Sequence, residues 1–270
     1  ATAKNGAKVM TSSGSDIPAG IREYLDAAAR TCQAVLGDRL LGLYLCGSAV
    51  QGDFAPHRSD IDLLGIVDGD LDRAPRKELS SRLSHPVLAV PAQGLEIVLF
   101  PAEAAQTARL DLPFAFALST GPGVESACEP PGTANDMLID IALCRESGIP
   151  LSGKAPNEAF GSVARPLLLA ALVEELGWHL RQVEERSDGK TPVNAILNAA
   201  RSLHAAETGR IVSKTEGGHW WLRRHSRDAL VARALEVREG WAPATFDPDS
   251  VRGFVEMVAR KIDGMRRELA

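Results

Sequence analysis

The sequence is poor in the aromatic side chains that stack on nucleobases, with 2 Tyr, 4 Trp and 7 Phe in 270 residues. It has no basic surplus either: 30 Lys and Arg stand against 35 Asp and Glu, for a net charge of −5. These two absences argue against a stacking-driven or polybasic nucleic-acid binder. Cysteine is scarce, and Cys32, Cys46, Cys128 and Cys144 form no C-x-x-C pair. Four scattered thiols read as buried apolar residues of a reducing compartment, not as a disulfide scaffold or a zinc site. No apolar run approaches the ~18 residues of a membrane span. The first nine residues hold no continuous apolar segment of the signal-peptide kind. A cytoplasmic protein without membrane or nucleic-acid partners is therefore the expectation, and a monomer is expected beside it. What is present is an ordinary globular composition, 45% apolar and 24% charged, in a chain long enough for one large domain or two ordinary ones.

Ile21, Tyr24, Leu25, Ala28 and Ala29 recur at helical spacing, and Gly37 stops that helix after Leu36. Short apolar runs predict strands over 41–46, 61–67, 87–90 and 95–100, with a polar helix over 75–83 between the second and third. From about residue 134 the texture changes. Helices are expected over 137–148, from Pro166 past Leu180, over 193–206 and from Pro248 to Leu269, with 149–153 as a connector and 187–192 as a break. Segregation of strands and helices predicts an α+β chain. Residues 1–155 would form a mixed β-sheet with flanking helices, and residues 156–270 an all-α helical bundle.

The most informative stretch begins where the run Leu41–Cys46 breaks at Gly47-Ser48, and continues through Gly52 to Asp60-Ile61-Asp62-Leu63-Leu64. Residues two apart on a strand share a face, their Cα atoms ~6–7 Å apart. Asp60 and Asp62 thus project together, away from Ile61 and Leu63. Two carboxylates on one face repel each other unless a cation lies between them, and magnesium suits such hard oxygen donors. Glu96 is an isolated acid inside the run 95–100, and a strand ~4.8 Å away would bring it to the pair. Three carboxylates can hold metal, deprotonate a hydroxyl, or share those tasks. Gly47 and Ser48 offer backbone N–H groups and a hydroxyl to phosphate oxygens. A lone D-x-D more often marks a solvated strand edge. Here the preceding Gly-Ser break and the following acid-bearing strand favour a functional site.

The order G-S-x-x-x-G, then S-D-I-D-L-L, resembles the nucleotidyltransferase superfamily with the polymerase-β-like fold. More narrowly, the chain is similar to the aminoglycoside O-adenylyltransferases that modify streptomycin and spectinomycin. Asn194 to Arg201 fits their N-x-x-L-x-x-x-R, Thr208 to Lys214 fits T-G-x-I-x-x-K, and Leu151-Ser152-Gly153 also matches. The resemblance implies that Asp60 and Asp62 bind magnesium and that Glu96 is the catalytic base beside the metal. It assigns Gly47, Ser48, Ser59, Asn194, Arg201 and Lys214 to ATP, the last two neutralising the triphosphate. It implies two Mg2+ ions, ATP as co-substrate, and transfer of AMP to a hydroxyl of a cationic antibiotic with release of pyrophosphate. Where streptomycin-modifying members carry Trp, Asp and a further acid before the Asn, this chain has Gln182, Ser187 and Thr191. Glu184 and Asp188 are the candidate acids in their place, and spectinomycin is favoured over streptomycin. Two alternatives stay open: a nucleotidyltransferase for another small-molecule, protein or RNA acceptor, and a catalytically silent nucleotide-binding regulator.

Other signals carry less. Residues 208–215 lack the glycines of a P-loop, and no G-x-S-x-G elbow is present. Trp220 and Trp221 are expected to pack between helices, with His219 and His225 partly exposed.

Overall fold

A computed structural model describes residues 17–269 except 19, 130–131, 134–136, 186–189 and 241–244. The elements run α1 (Arg22–Leu36), β1 (Leu40–Cys46), β2 (Asp60–Val67), α2 (Arg73–Leu83), β3 (Gly94–Pro101), α3 (Ala102–Gln106), β4 (Pro113–Phe114), β5 (Phe116–Gly121), β6 (Val124–Glu129) and β7 (Gly132–Thr133). Then follow α4 (Met137–Ser147), β8 (Ile149–Ser152), α5 (Pro156–Ala159), α6 (Arg165–Glu185), α7 (Lys190–Thr208), α8 (Lys214–Arg224), α9 (Ala229–Arg238) and α10 (Pro248–Arg267).

Six strands form one mixed sheet in the order β6-β5-β3-β2-β1-β8, in which only β2 and β3 run parallel. The central strands are apolar on both faces because both faces are covered. Ile61, Leu63, Leu95 and Ile97 pack beneath α1 and α2. Leu64, Ile66, Val98 and Phe100 lie on the opposite face, in an apolar cluster that continues through α4 into α6, α7, α8, α9 and α10. The second face of the sheet and the helical half therefore share one core across residue 155.

Four expectations meet a different outcome. Residues 87–90 are not a strand: Pro86 and Pro91 flank them, and β3 is already paired on both sides, by β2 and β5. The Val90 amide instead donates to His85 Nδ1 at 3.0 Å. The supposed connector at 149–152 is the edge strand β8, with Ile149 opposite Leu45. Strands β5 and β6 extend the sheet where periodicity offered no element. Helix α7 starts at Lys190, inside the expected break, with Pro192 in its first turn, where a missing N–H costs nothing. Trp220 and Trp221 are buried and His219 and His225 exposed, as expected. No helix among the described residues is long and apolar enough to cross a membrane.

Candidate active site

Parallel pairing sets Asp62 directly opposite Glu96 and Asp60 opposite Gly94. Neighbouring strands lie ~4.8 Å apart, so the three acids gather at the start of β2 and β3, on the face toward the helices. A fourth, Asp140, arrives from α4. Burial, then the charges of Glu96, Asp140 and Asp60, push the Asp62 carboxyl well above the usual carboxylate range. Sequence reasoning missed Asp140, although it is the one acid among buried Leu138, Ile139 and Ile141. The tight turn after β1 passes close over this cluster. Gly47 adopts φ +64°, and a Cβ there would collide with the Asp62 carboxylate, which accounts for glycine at this position.

The opposite wall is cationic and comes from the helical half. Lys214, at the first position of α8, donates through Nζ to Asn194 Oδ1 at 3.3 Å. Burial, with the nearby Arg201 and Arg238 charges, brings the Lys214 ammonium down to about 8. Arg201 Nη2 donates to Glu175 Oε1 at 3.1 Å. Burial alone would raise the Glu175 carboxyl, but Arg201 and His179 outweigh it and bring it to about 2. His179 is pulled below its ordinary value by burial, and its Nε2 lies 2.5 Å from the Asn198 amide. Helix α8 can approach α7 this closely because Gly217 has no side chain: a Cβ there would sit 2.6 Å from Arg201 Cβ.

Between the two walls lies a cavity of about 340 Å³. Gly47, Ser48, Ser59, Asp60, Asp62, Glu96, Asn194, Arg201 and Lys214 all line it. A second lobe of about 340 Å³ adjoins it, reached past Glu96, Asp140, Glu175 and Arg201 and bounded by the exposed ring of Trp178. Glu184 is not in the lining of either lobe. It lies nine residues beyond Glu175 on α6, half a turn out of phase at 100° per residue, and its carboxylate faces Arg252 of α10 at 3.5 Å. Asp188 lies outside the described residues. Besides Asp140, sequence reasoning overlooked Glu175, Trp178 and His179, which share one face of α6 at i, i+3 and i+4, and Asp53, Arg58 and Arg238, which line the first lobe. Among the described residues, no group of three or more His, Cys, Asp or Glu side chains is arranged to hold a metal ion by itself.

Residues 158–261 match the family model described as the C-terminal domain of aminoglycoside adenylyltransferase. Curated proteins named aminoglycoside (3'') (9) adenylyltransferase, from Klebsiella pneumoniae and Escherichia coli, are each 28% identical over 193 residues, covering 68% of this chain and 72% of theirs. The fold resembles that of the spectinomycin adenyltransferase AAD(9) from Enterococcus faecialis, solved with ATP and spectinomycin, with a TM-score of 0.72 at 15% identity over 89% of this chain and 98% of that one. Through the matched C-terminal segment and the curated relatives, the chain is similar to the aminoglycoside adenylyltransferases.

Proposed function

We propose that the protein transfers AMP from ATP to a hydroxyl of an aminoglycoside or aminocyclitol antibiotic, releases pyrophosphate, and so confers resistance. The observation that carries this reading is the register of Asp62 with Glu96, beneath a wall holding Lys214 and Arg201. The lobe with Gly47, Ser48 and Lys214 suits the triphosphate: backbone amides at a tight turn and a buried cation are what phosphate oxygens require. The second lobe, with Asp140, Glu175 and Trp178, suits a cationic ring, which gains from both carboxylates and an aromatic face. Spectinomycin is favoured as acceptor because the structurally similar AAD(9) is a spectinomycin enzyme and because Gln182 and Ser187 replace the streptomycin-associated Trp and Asp.

Magnesium fits these residues. It is usually held by one or two carboxylates together with substrate phosphates, not by a closed protein cage, and Asp60 and Asp62 are the two carboxylates in question. The like charges that raise Asp62 are the kind a divalent ion offsets, and a bound ion supplies charge neutralisation to the triphosphate. Glu96 takes the proton of the acceptor hydroxyl as its oxygen bonds to the α-phosphorus. The bond from that phosphorus to the bridging oxygen breaks, and pyrophosphate leaves with the electron pair toward Lys214 and Arg201.

The test is pyrophosphate release from ATP and Mg2+ across a panel of aminoglycosides and spectinomycin, with RNA as control, followed by mass spectrometry of the acceptor. An adenylylated antibiotic is expected. Release with RNA alone would support another acceptor, and no release with any acceptor would support the silent regulator. Glu96→Gln is expected to lower kcat by about 10²–10⁴-fold while ATP affinity stays within about twofold. Near wild-type transfer by that variant would remove Glu96 as the base.

A further inference from the structure

The loop between β1 and β2 is tied to the helical half by a buried carboxylate. Asp53 is 8% exposed and accepts from Arg58 Nη2 at 2.8 Å, from Thr215 Oγ1 at 2.9 Å and from Arg238 Nη2 at 2.8 Å. Arg58 Nη1 donates to the Arg238 carbonyl at 2.7 Å, and Arg238 Nε donates to Thr215 Oγ1 at 3.1 Å. Thr215 follows Lys214, so the same knot locates the lysine. Nearby, Gln51 Nε2 donates to the Ile211 carbonyl at 3.1 Å.

The cluster carries a net positive charge. One carboxylate faces two guanidiniums, and both arginines line the cavity that holds Lys214 and Arg201. Arg58 Nε is buried with no hydrogen-bond partner, a state that costs free energy unless something fills it. Guanidiniums present forked donors that match phosphate oxygens. We propose that Arg58 and Arg238 are polyphosphate-binding residues and that Asp53 is the positioning residue holding both toward the cleft. Because Arg58 belongs to the Gly47–Ser59 loop and Arg238 to the end of α9, one polyphosphate chain would bridge the sheet and the helices. Binding the β- and γ-phosphates and clamping the two halves together would then be a single event. This rests on reading the cleft as an ATP site.

The experiment is calorimetric titration of wild type and Arg238→Ala with AMP, ADP, ATP and inorganic pyrophosphate, all with Mg2+. AMP affinity is expected to stay within about twofold, while ATP and pyrophosphate weaken about 10- to 100-fold, the range of lost charge-assisted hydrogen bonds. Arg238→Lys should recover part of the loss, and Asp53→Asn should reproduce it with Arg238 intact. Equal weakening for AMP and ATP, or none for either, would overturn the proposal, since a simple clamp has no means of counting phosphates. If Arg238→Ala loses cooperative melting, Arg58→Gln, whose side chain is 24% exposed, carries the same comparison. A wild type that binds ATP no more tightly than AMP would instead overturn the ATP reading of the cleft.

Discussion

Lys214 holds its charge against burial and against the guanidiniums of Arg201 and Arg238, with Glu175 and Asp62 as its opposing carboxylates. Its folded value of about 8 lies below the ordinary 10.5. The folded protein therefore binds fewer protons than the unfolded chain between those values. The penalty of a charged Lys214 is fully present below about pH 8 and is relieved as pH rises through that window, so this group's contribution to stability grows there. A bound triphosphate favours the charged form and reverses the shift. ATP binding is thus expected to take up a proton near pH 9, measurable by calorimetry in buffers of different ionisation enthalpy. Absence of proton uptake would mean that the ammonium does not meet the phosphates. At this scale Asp60 and Asp62 are legible in sequence because strand periodicity puts them on one face, and Glu96 is legible as an isolated acid in an apolar run, while its place opposite Asp62 comes from the pairing of β2 with β3. The Asp53–Arg238 contact joins residues 185 apart, and no local pattern announces it.

At the scale of elements, the placement of Lys214 and Arg201 in the cleft depends on how closely α8 and α7 approach. Gly217 sits against the backbone of Arg201, so Gly217→Ala must push the helices apart and move Lys214 from Arg201. Overpacking of this kind costs about 1–3 kcal/mol. The expected result is a lower Tm and weaker ATP binding, checked by thermal melting and titration. An unchanged Tm would mean that the helices yield without strain. Helix starts were partly visible: Asp247 caps α10 ahead of Pro248. Helices α8 and α9 were not foreseen, although Ser213 accepts from the Glu216 amide and Asp228 from those of Leu230 and Val231. They are 11 and 10 residues long, too short for periodicity to stand out. The run 87–90 misled in the opposite sense, since β-propensity says nothing about whether a partner edge is vacant.

For the whole molecule, one apolar cluster joins the sheet to the helices, so neither half buries its apolar face alone. A fragment ending at residue 155 would expose apolar side chains of α4, the helix through which the shared cluster passes from the sheet into α6. Such a fragment is expected to lack a cooperative thermal transition and to self-associate on size-exclusion chromatography. A cooperative monomeric melt would show that the first half carries a sufficient core. The sequence by itself determined the segregation of strands and helices, the shared face of Asp60 and Asp62 on β2, and the glycine-serine turn before it. Those features follow from dihedral preference and side-chain period over a few residues. Only the tertiary structure decided that Asp140 joins the acids, that Glu184 faces away from the cleft, and that Asp53 gathers two arginines beside Lys214. Each of those depends on distant segments packing together, where burial and charge pairing are set by the fold and not by near neighbours in the chain.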